Sequence, residues 1–235
     1  MPPRLPASAV TLGPSRAACY LHGFASSPKS TKVGYFTERL REHGIEMRCP
    51  DFNRPDFSGL TMTRMIEQLG AELARIDRAP GEANGPVALF GSSLGGTLAI
   101  LAAARFRAQV DRLVLLAPAV MFAKPGHHLL PPERVDEWQR RGALPFFHYA
   151  DQAERELNFA FYEDSLRYDA FNAAVPQPAL IFQGLRDASV DYRTIEAFAN
   201  ARPSVTLSLV DDDHQLIASL PRIWADVRGF LGLDE

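Results

Sequence analysis

The stretch Leu89-Phe90-Gly91-Ser92-Ser93-Leu94-Gly95-Gly96 constrains this chain more than any other. An apolar run, Val87 to Phe90, leads into it, and an alanine-rich segment, Leu94 to Phe106, leads out. A G-x-S-x-G turn between a strand and a helix sets a serine at the tip of a tight reversal, the geometry of a nucleophile elbow. Gly91 and Gly95 stand two residues either side of Ser93, so Ser93 is the candidate nucleophile and Ser92 its bystander. Bulky side chains at the flanking positions would crowd the turn, and glycine relieves that crowding. The helix opening at Leu94 aims its first unpaired N–H groups at whatever Ser93 attacks.

An elbow of this kind needs a sheet to stand on, and the remaining pattern supplies one. Ala17 to Leu21 is a short apolar run stopped by His22-Gly23, consistent with a buried parallel strand. Thr31 to His43 carries Val33, Phe36 and Leu40 at helical spacing, and Ile45 to Arg48 follows as a strand. Met62 to Ile76 repeats apolar residues at 62, 65, 66, 69, 73 and 76, an amphipathic helix. Ala79-Pro80-Gly81 and Asn84-Gly85-Pro86 read as loop. Leu113 to Leu116, Leu180 to Phe182 and Val205 to Val210 are further strands, with helices over Ile195 to Ala199 and Leu216 to Leu231. Strands alternating with helices imply parallel pairing through right-handed crossovers, with helices on both faces. The expected fold is α/β, a three-layer sandwich around a mostly parallel sheet of about six strands. The leader before Ala17 is too short for an extra antiparallel hairpin.

Residues 119–174 break the alternation. The segment holds Pro125, Pro131-Pro132 and Pro145, with helical patterns over Glu133 to Arg141 and Ala153 to Tyr168. It is rich in aromatics, among them Phe122, Trp138, Phe146, Phe159, Phe161 and Tyr162. Its position at the C-terminal edge of the strands predicts a small helical cap beside the elbow. Singly, each aromatic is better explained as glue between cap and core; together, some should line a pocket. The whole chain, 1–235, is expected to form one domain with this insertion inside it.

Composition narrows the partners. A net charge of −3 without a Lys/Arg cluster gives no signal for nucleic acid. No apolar run approaches a membrane span, and residues 1–11 lack the apolar core of a secretory signal. Cys19 and Cys49 look like buried free thiols, neither a disulfide framework nor a metal site. The expectation is a cytoplasmic protein without cofactor or metal, acting on a small molecule; the oligomeric state stays open.

A serine is a weak nucleophile until a base, an orienting acid and an oxyanion hole assist it. Behind an elbow of this type the acid and then the base follow in chain order. Of the histidines at 22, 43, 127, 128, 148 and 214, only His214 follows the last strand and precedes the final helix. His127, His128 and His148 lack partners at metal-ligand spacing and are expected on the surface or in a pocket wall. Asp187 lies just past the strand Leu180 to Phe182 and is the candidate acid; Asp191, the runner-up, fits better as the cap of the next helix. Asp211 to Asp213 reads as a solvated turn. The oxyanion donors are expected at the Leu94 N–H and, from the loop after the first strand, the Phe24 N–H, with His22 holding that loop by hydrogen bonds. A phosphate-binding loop fails because Thr97-Leu98 follows Gly96, and a dinucleotide fingerprint is absent from 91–96. Ser93 also excludes a dehalogenase, which needs aspartate there.

These residues resemble the YqiA-type bacterial esterases of the α/β-hydrolase superfamily. Tyr20-Leu21-His22-Gly23-Phe24-Ala25-Ser26-Ser27-Pro28-Lys29-Ser30-Thr31-Lys32 follows that family's Y-L-H-G-F-x-S-S-P-x-S-x-K signature. Pro50-Asp51, the elbow, and Asp187-Ala188-Ser189-Val190-Asp191-Tyr192-Arg193 fit its later motifs. Arg186 replaces the usual glycine before the acid, and Asp213 and Gln215 flank the base. The resemblance implies a serine esterase acting on short acyl esters. Short to medium chains are expected from the aromatic segment. Thioesterase, acyltransferase, peptidase and lactonase chemistry share the same acyl-enzyme step, and a non-catalytic binding protein on this fold is the contrasting reading.

Overall fold

A computed structural model describes residues 17–76, 86–124, 126–127 and 130–233. Six strands pair in parallel throughout: β1 (Ala17–Leu21), β2 (Glu46–Arg48), β3 (Val87–Ser92), β4 (Val110–Leu116), and two later ones, Ala179–Gly184 and Val205–Val210. Numbered in chain order the last two are β7 and β8, because a separate hairpin, β5 (Ala143–His148) and β6 (Ala153–Asn158), intervenes. The sheet order is β2-β1-β3-β4-β7-β8. The helices are α1 (Thr31–Glu42), α2 (Met62–Ile76), α3 (Leu94–Arg105), α4 (Pro132–Arg141), α5 (Ala160–Ser165), α6 (Tyr192–Asn200) and α7 (Leu220–Leu231).

The two-residue period of the strands sorts the core into two halves. Cys19, Leu21, Leu89, Leu113, Leu115 and Ile181 point to one face, where α2, α3 and α6 bury Leu69, Leu98 and Phe198. Tyr20, Phe90, Val114, Leu116 and Phe182 point to the other, covered by α1 and α7 through Phe36, Leu40, Ile223 and Val227. This is the three-layer α/β arrangement expected from the alternation. Both cysteines are free. No described helix is long and apolar enough to cross a membrane.

The structure corrects several boundaries. Ala153 to Tyr168 is not one helical stretch: Ala153–Asn158 is a strand paired antiparallel to Ala143–His148, and only Ala160–Ser165 is helical. The sequence Ala-Glu-Arg-Glu-Leu-Asn favours a helix locally. Its register opposite β5 buries Leu157 against Leu144, and that tertiary gain overrides propensity. The final helix begins at Leu220, not Leu216, because Leu216 takes a left-handed φ of 57° that no helix tolerates. The predicted loops at 79–81 and 84–85, Pro125 and His128 lie outside the described residues, as does the segment before Ala17.

The segment between β4 and β7 shares the α2–α3 core through Trp138, Leu144, Leu157 and Phe161. Trp138 donates its indole N–H to the Leu157 carbonyl at 2.7 Å. Asp164 of α5 reaches across to α2, accepting from the Thr63 N–H and hydroxyl at 2.7 Å each. Thr63 precedes any intrahelical acceptor for its N–H, so this carboxylate supplies the missing N-terminal partner of α2.

Candidate active site

The site is assembled at the C-terminal ends of β1, β3, β7 and β8. Ser93, one residue past β3 and the N-cap of α3, has φ 54° and ψ −118°, a conformation ordinarily left to glycine. Such strain costs about 1–3 kcal/mol and persists only where its surroundings over-determine it. Here the Ser93 N–H donates to Leu116 O at 3.0 Å, and the Ser93 carbonyl accepts from Gly96, Thr97 and Ala119 N–H groups at 2.9–3.2 Å. Glycines permit the turn around it. A methyl on Gly91 would stand 2.5 Å from the Gly95 carbonyl oxygen, and one on Gly95 would stand 1.9 Å from that of Leu21.

The loop after β1 comes to lie against the serine: a Cβ on Gly23 would sit 3.5 Å from the Ser93 Cβ. Among the described residues the Phe24 N–H has no hydrogen-bond acceptor. Leu94, the first residue of α3, likewise has no intrahelical acceptor for its N–H. His22 holds the loop from beneath. Its Nδ1 donates to Gly23 O at 2.9 Å and its Nε2 accepts the Phe52 N–H at 3.1 Å. His22 therefore has the structural role expected of it.

Asp187 and His214 meet across the ends of β7 and β8. His214 Nδ1 donates to Asp187 Oδ2 at 2.8 Å, with the carboxylate side chain fully buried and the imidazole one-fifth exposed. Gly184 permits this approach, since a side chain there would strike the Asp212 and Asp213 carbonyls at 2.5 and 2.6 Å. Burial alone would raise the Asp187 carboxyl. The His214 hydrogen bond and the Val190 N–H outweigh it and hold the group below the usual carboxylate range. The Ser189 and Val190 N–H groups both donate to Oδ1, at 2.8 and 2.9 Å. Asp191 caps α6, accepting from the Arg193 N–H, as its sequence position suggests.

Other side chains complete the picture. Asp212 is not a solvated turn residue: it is buried and accepts from the Asp213 and Ser219 N–H groups, bracing the loop that carries His214. Asp211 stays exposed and pairs with Arg186. Lys32 stands out in the sequence only as the last residue of a motif, yet it is 8% exposed. Burial pushes its ammonium down to about 8 against the pull of Asp187, Asp213 and Asp212. His148, the last residue of β5, is buried with its ring 4.9 Å from that of Phe57, while His127 is exposed.

The aromatics divide. Trp138, Phe161 and Tyr162 are buried as packing, whereas Phe147 and Tyr149 are exposed. The ring of Phe24 meets Phe57, Phe146 and Phe161 at 5.5–5.6 Å between centroids. The hairpin also docks on the same loop through the backbone, Tyr149 N–H to Ala25 O at 2.9 Å.

Residues 17–227 match the family model described as Uncharacterised protein family (UPF0227). The chain belongs to this YqiA-like family. Comparison with curated protein sequences gives no match. Solved structures share the α/β-hydrolase fold. Est1E from Butyrivibrio proteoclasticus with bound ferulic acid superposes with a TM-score of 0.79 at 21% identity, covering 92% of this chain and 87% of that one. A putative hydrolase from Agrobacterium vitis S4 gives 0.78 at 23% identity, over 94% and 91%. Mouse alpha/beta hydrolase domain-containing protein 10 gives 0.75 at 20%, again over 94% and 91%.

Proposed function

We propose that this UPF0227 chain is a serine hydrolase that cleaves carboxylic esters of short to medium acyl chains through an acyl-enzyme. The observation carrying the reading is the pairing of a strained serine at the end of β3 with a buried Asp187–His214 hydrogen bond at the ends of β7 and β8. That combination is costly for a protein that only binds. Structures with the same fold include a putative hydrolase, a monoacylglycerol lipase and an esterase, in agreement with it.

In this mechanism the Ser93 Oγ attacks the ester carbonyl carbon while His214 Nε2 takes the hydroxyl proton. The Asp187 carboxylate fixes the tautomer, because its acceptance from Nδ1 leaves Nε2 as the base. The carbonyl oxygen becomes an oxyanion held by the Leu94 and Phe24 N–H groups. Collapse expels the alcohol, which receives the proton from His214. Water then repeats the sequence on the acyl-enzyme, releasing the acid and freeing Ser93. Residues 119–174 act as the cap, and the rings around Phe24 form the acyl-side wall. Free Cys19 and Cys49 suit a reducing cytoplasm. Thioester cleavage or acyl transfer would use the same atoms and differ only in the leaving group or acceptor.

The test is a fluorophosphonate probe with a p-nitrophenyl ester series, one arm carrying a hydroxycinnamoyl group and another a thioester. Ser93→Ala is expected to abolish both labelling and turnover while the fold survives. Wild-type turnover in that variant would remove the assignment, and a large preference for long chains would count against a closed aromatic wall.

A further inference from the structure

Gln183 is the penultimate residue of β7, fully buried near the C-terminal end of the strand between β4 and β8. Its Nε2 donates to Asp187 Oδ2 at 2.9 Å and also faces the carbonyls of Val190 at 3.1 Å and Gly184 at 3.3 Å. All three neighbours are acceptors, so the amide must present its NH₂ to them; the flipped orientation would set an oxygen against a carboxylate. The opposite end, Oε1, is buried with no hydrogen-bond partner among the described residues. An orphaned acceptor costs stability, and an apolar side chain would pack this spot with neither demand. A polar group kept at that cost, with its donor turned onto the candidate acid, calls for a reason beyond packing.

The two oxygens of Asp187 have distinct partners. Oδ1 takes the Ser189 and Val190 N–H groups, whereas Oδ2 takes His214 on one side and Gln183 on the other. Without Gln183, Oδ2 would be held by His214 alone, and only the Ser189 and Val190 N–H groups on Oδ1 would resist a tilt of the carboxylate about its Cβ–Cγ bond. The Val190 carbonyl on the same amide ties the acid loop back to β7.

We propose that Gln183 is a positioning residue, clamping Asp187 Oδ2 so that His214 keeps its proton on Nδ1 and presents Nε2 to Ser93. The inference rests on the hydrolase reading above and adds a residue to its machinery. Gln183 touches no reacting atom; it acts through Asp187.

Two variants and an activity-independent readout test it. Gln183→Met fills the same space without a donor and is expected to lower kcat about 10- to 100-fold, the size known for lost hydrogen-bonded support behind metal ligands and taken here for support behind the acid, with KM nearly unchanged. Gln183→Glu sets a second carboxyl against Asp187, and two carboxyls so placed hold one proton between them. While that proton remains, the introduced carboxyl can donate as the amide did. Activity in this variant should therefore approach wild type at low pH and fall as the pair ionises, a profile that lost packing alone would not produce. The ¹⁵N shifts of the His214 ring report its tautomer whether or not any ester is turned over. Nδ1–H should dominate in the wild type and lose that dominance in Gln183→Met. An unchanged tautomer in Gln183→Met, or a Gln183→Glu loss equal at every pH, would overturn the proposal. Turnover surviving Ser93→Ala would instead remove the hydrolase reading, and the tautomer would still decide whether Gln183 clamps the pair.

Discussion

Adding one methyl group at Gly95 sets helix propensity against backbone contact, and the structure decides between them. In an ordinary helix, alanine for glycine gains about 1 kcal/mol. At position 95 the new Cβ would stand 1.9 Å from Leu21 O, 2.5 Å from the Leu21 carbonyl carbon and 2.8 Å from His22 O. All three atoms belong to the backbone of β1 and the loop behind it, and none can rotate away. Relief requires the first turn of α3 to move off β1 by about 1 Å or more, since non-bonded carbons settle near ~3.5 Å. On another side Gly96 already stands where a Cβ would meet Pro118 at 2.6 Å, so the turn has little free space. Overpacking of this kind costs about 1–3 kcal/mol, and backbone atoms on both sides place it at the upper end. The net expectation for Gly95→Ala is a loss of about 2 kcal/mol. The same displacement carries the Leu94 N–H, the oxyanion donor of the proposed mechanism, away from the substrate carbonyl that Ser93 would attack, and an error of about 1 Å costs about 100-fold in rate. Urea unfolding and kcat on a p-nitrophenyl ester measure the two effects. Gly34→Ala on α1, where an added methyl meets nothing within 4 Å, is the control and should stabilise by about 0.4–1 kcal/mol. A Gly95→Ala protein as stable and as fast as wild type would refute the argument that this close approach sets the oxyanion geometry.

Lys32→Met is expected to stabilise the protein at neutral pH. The fall of its ammonium from 10.5 to about 8 corresponds to a penalty of about 3 kcal/mol while the folded group is charged. Between those two values the unfolded chain binds the extra proton, so wild-type stability rises with pH across that window. The advantage of the methionine variant should shrink over the same range, and urea titrations at neutral pH and above pH ~10.5 check it; a constant difference would contradict the buried charge. Asp187→Asn should cost about 10⁴-fold in kcat by favouring the wrong imidazole tautomer. Asp191→Asn should cost little, because asparagine caps α6 as well as aspartate does; steady-state kinetics giving the reverse order would move the acid to position 191.

How much the sequence disclosed depended on whether a feature was local. The sheet was legible because strands such as Val87 to Phe90 and Val205 to Val210 are short apolar runs bounded by turn residues. The elbow was legible because glycine spacing reports backbone crowding directly. The hairpin was hidden because Ala153–Asn158 has helical composition, and only its pairing with Ala143–His148 makes it a strand. Asp212 looked like one of three solvated acids, and its burial depends on the Ser219 N–H seven residues later. Gln183 gave no signal, since a glutamine at a strand end is indistinguishable from an ordinary terminator until Asp187 and Val190 fold over it. The pairing of Asp187 with His214, which rests on chain order, was thus readable, while support that rests on folded-over loops was not.

Phe24 carries a consequence for how such a protein could change its diet. In the proposed mechanism its amide steadies the developing charge, while its ring is one tile of the wall formed with Phe57 and Phe146 and backed by the buried Phe161. Selectivity and rate therefore share a single backbone unit. A substitution that widens the wall at Phe57 or Phe146 loosens the ring and, with it, the donor, so a broader substrate range comes with slower chemistry. Variation that leaves the rate intact is confined to side chains that do not pack on that ring, and the exposed Phe147 and Tyr149, whose rings meet each other, are where a new preference could be acquired without that penalty.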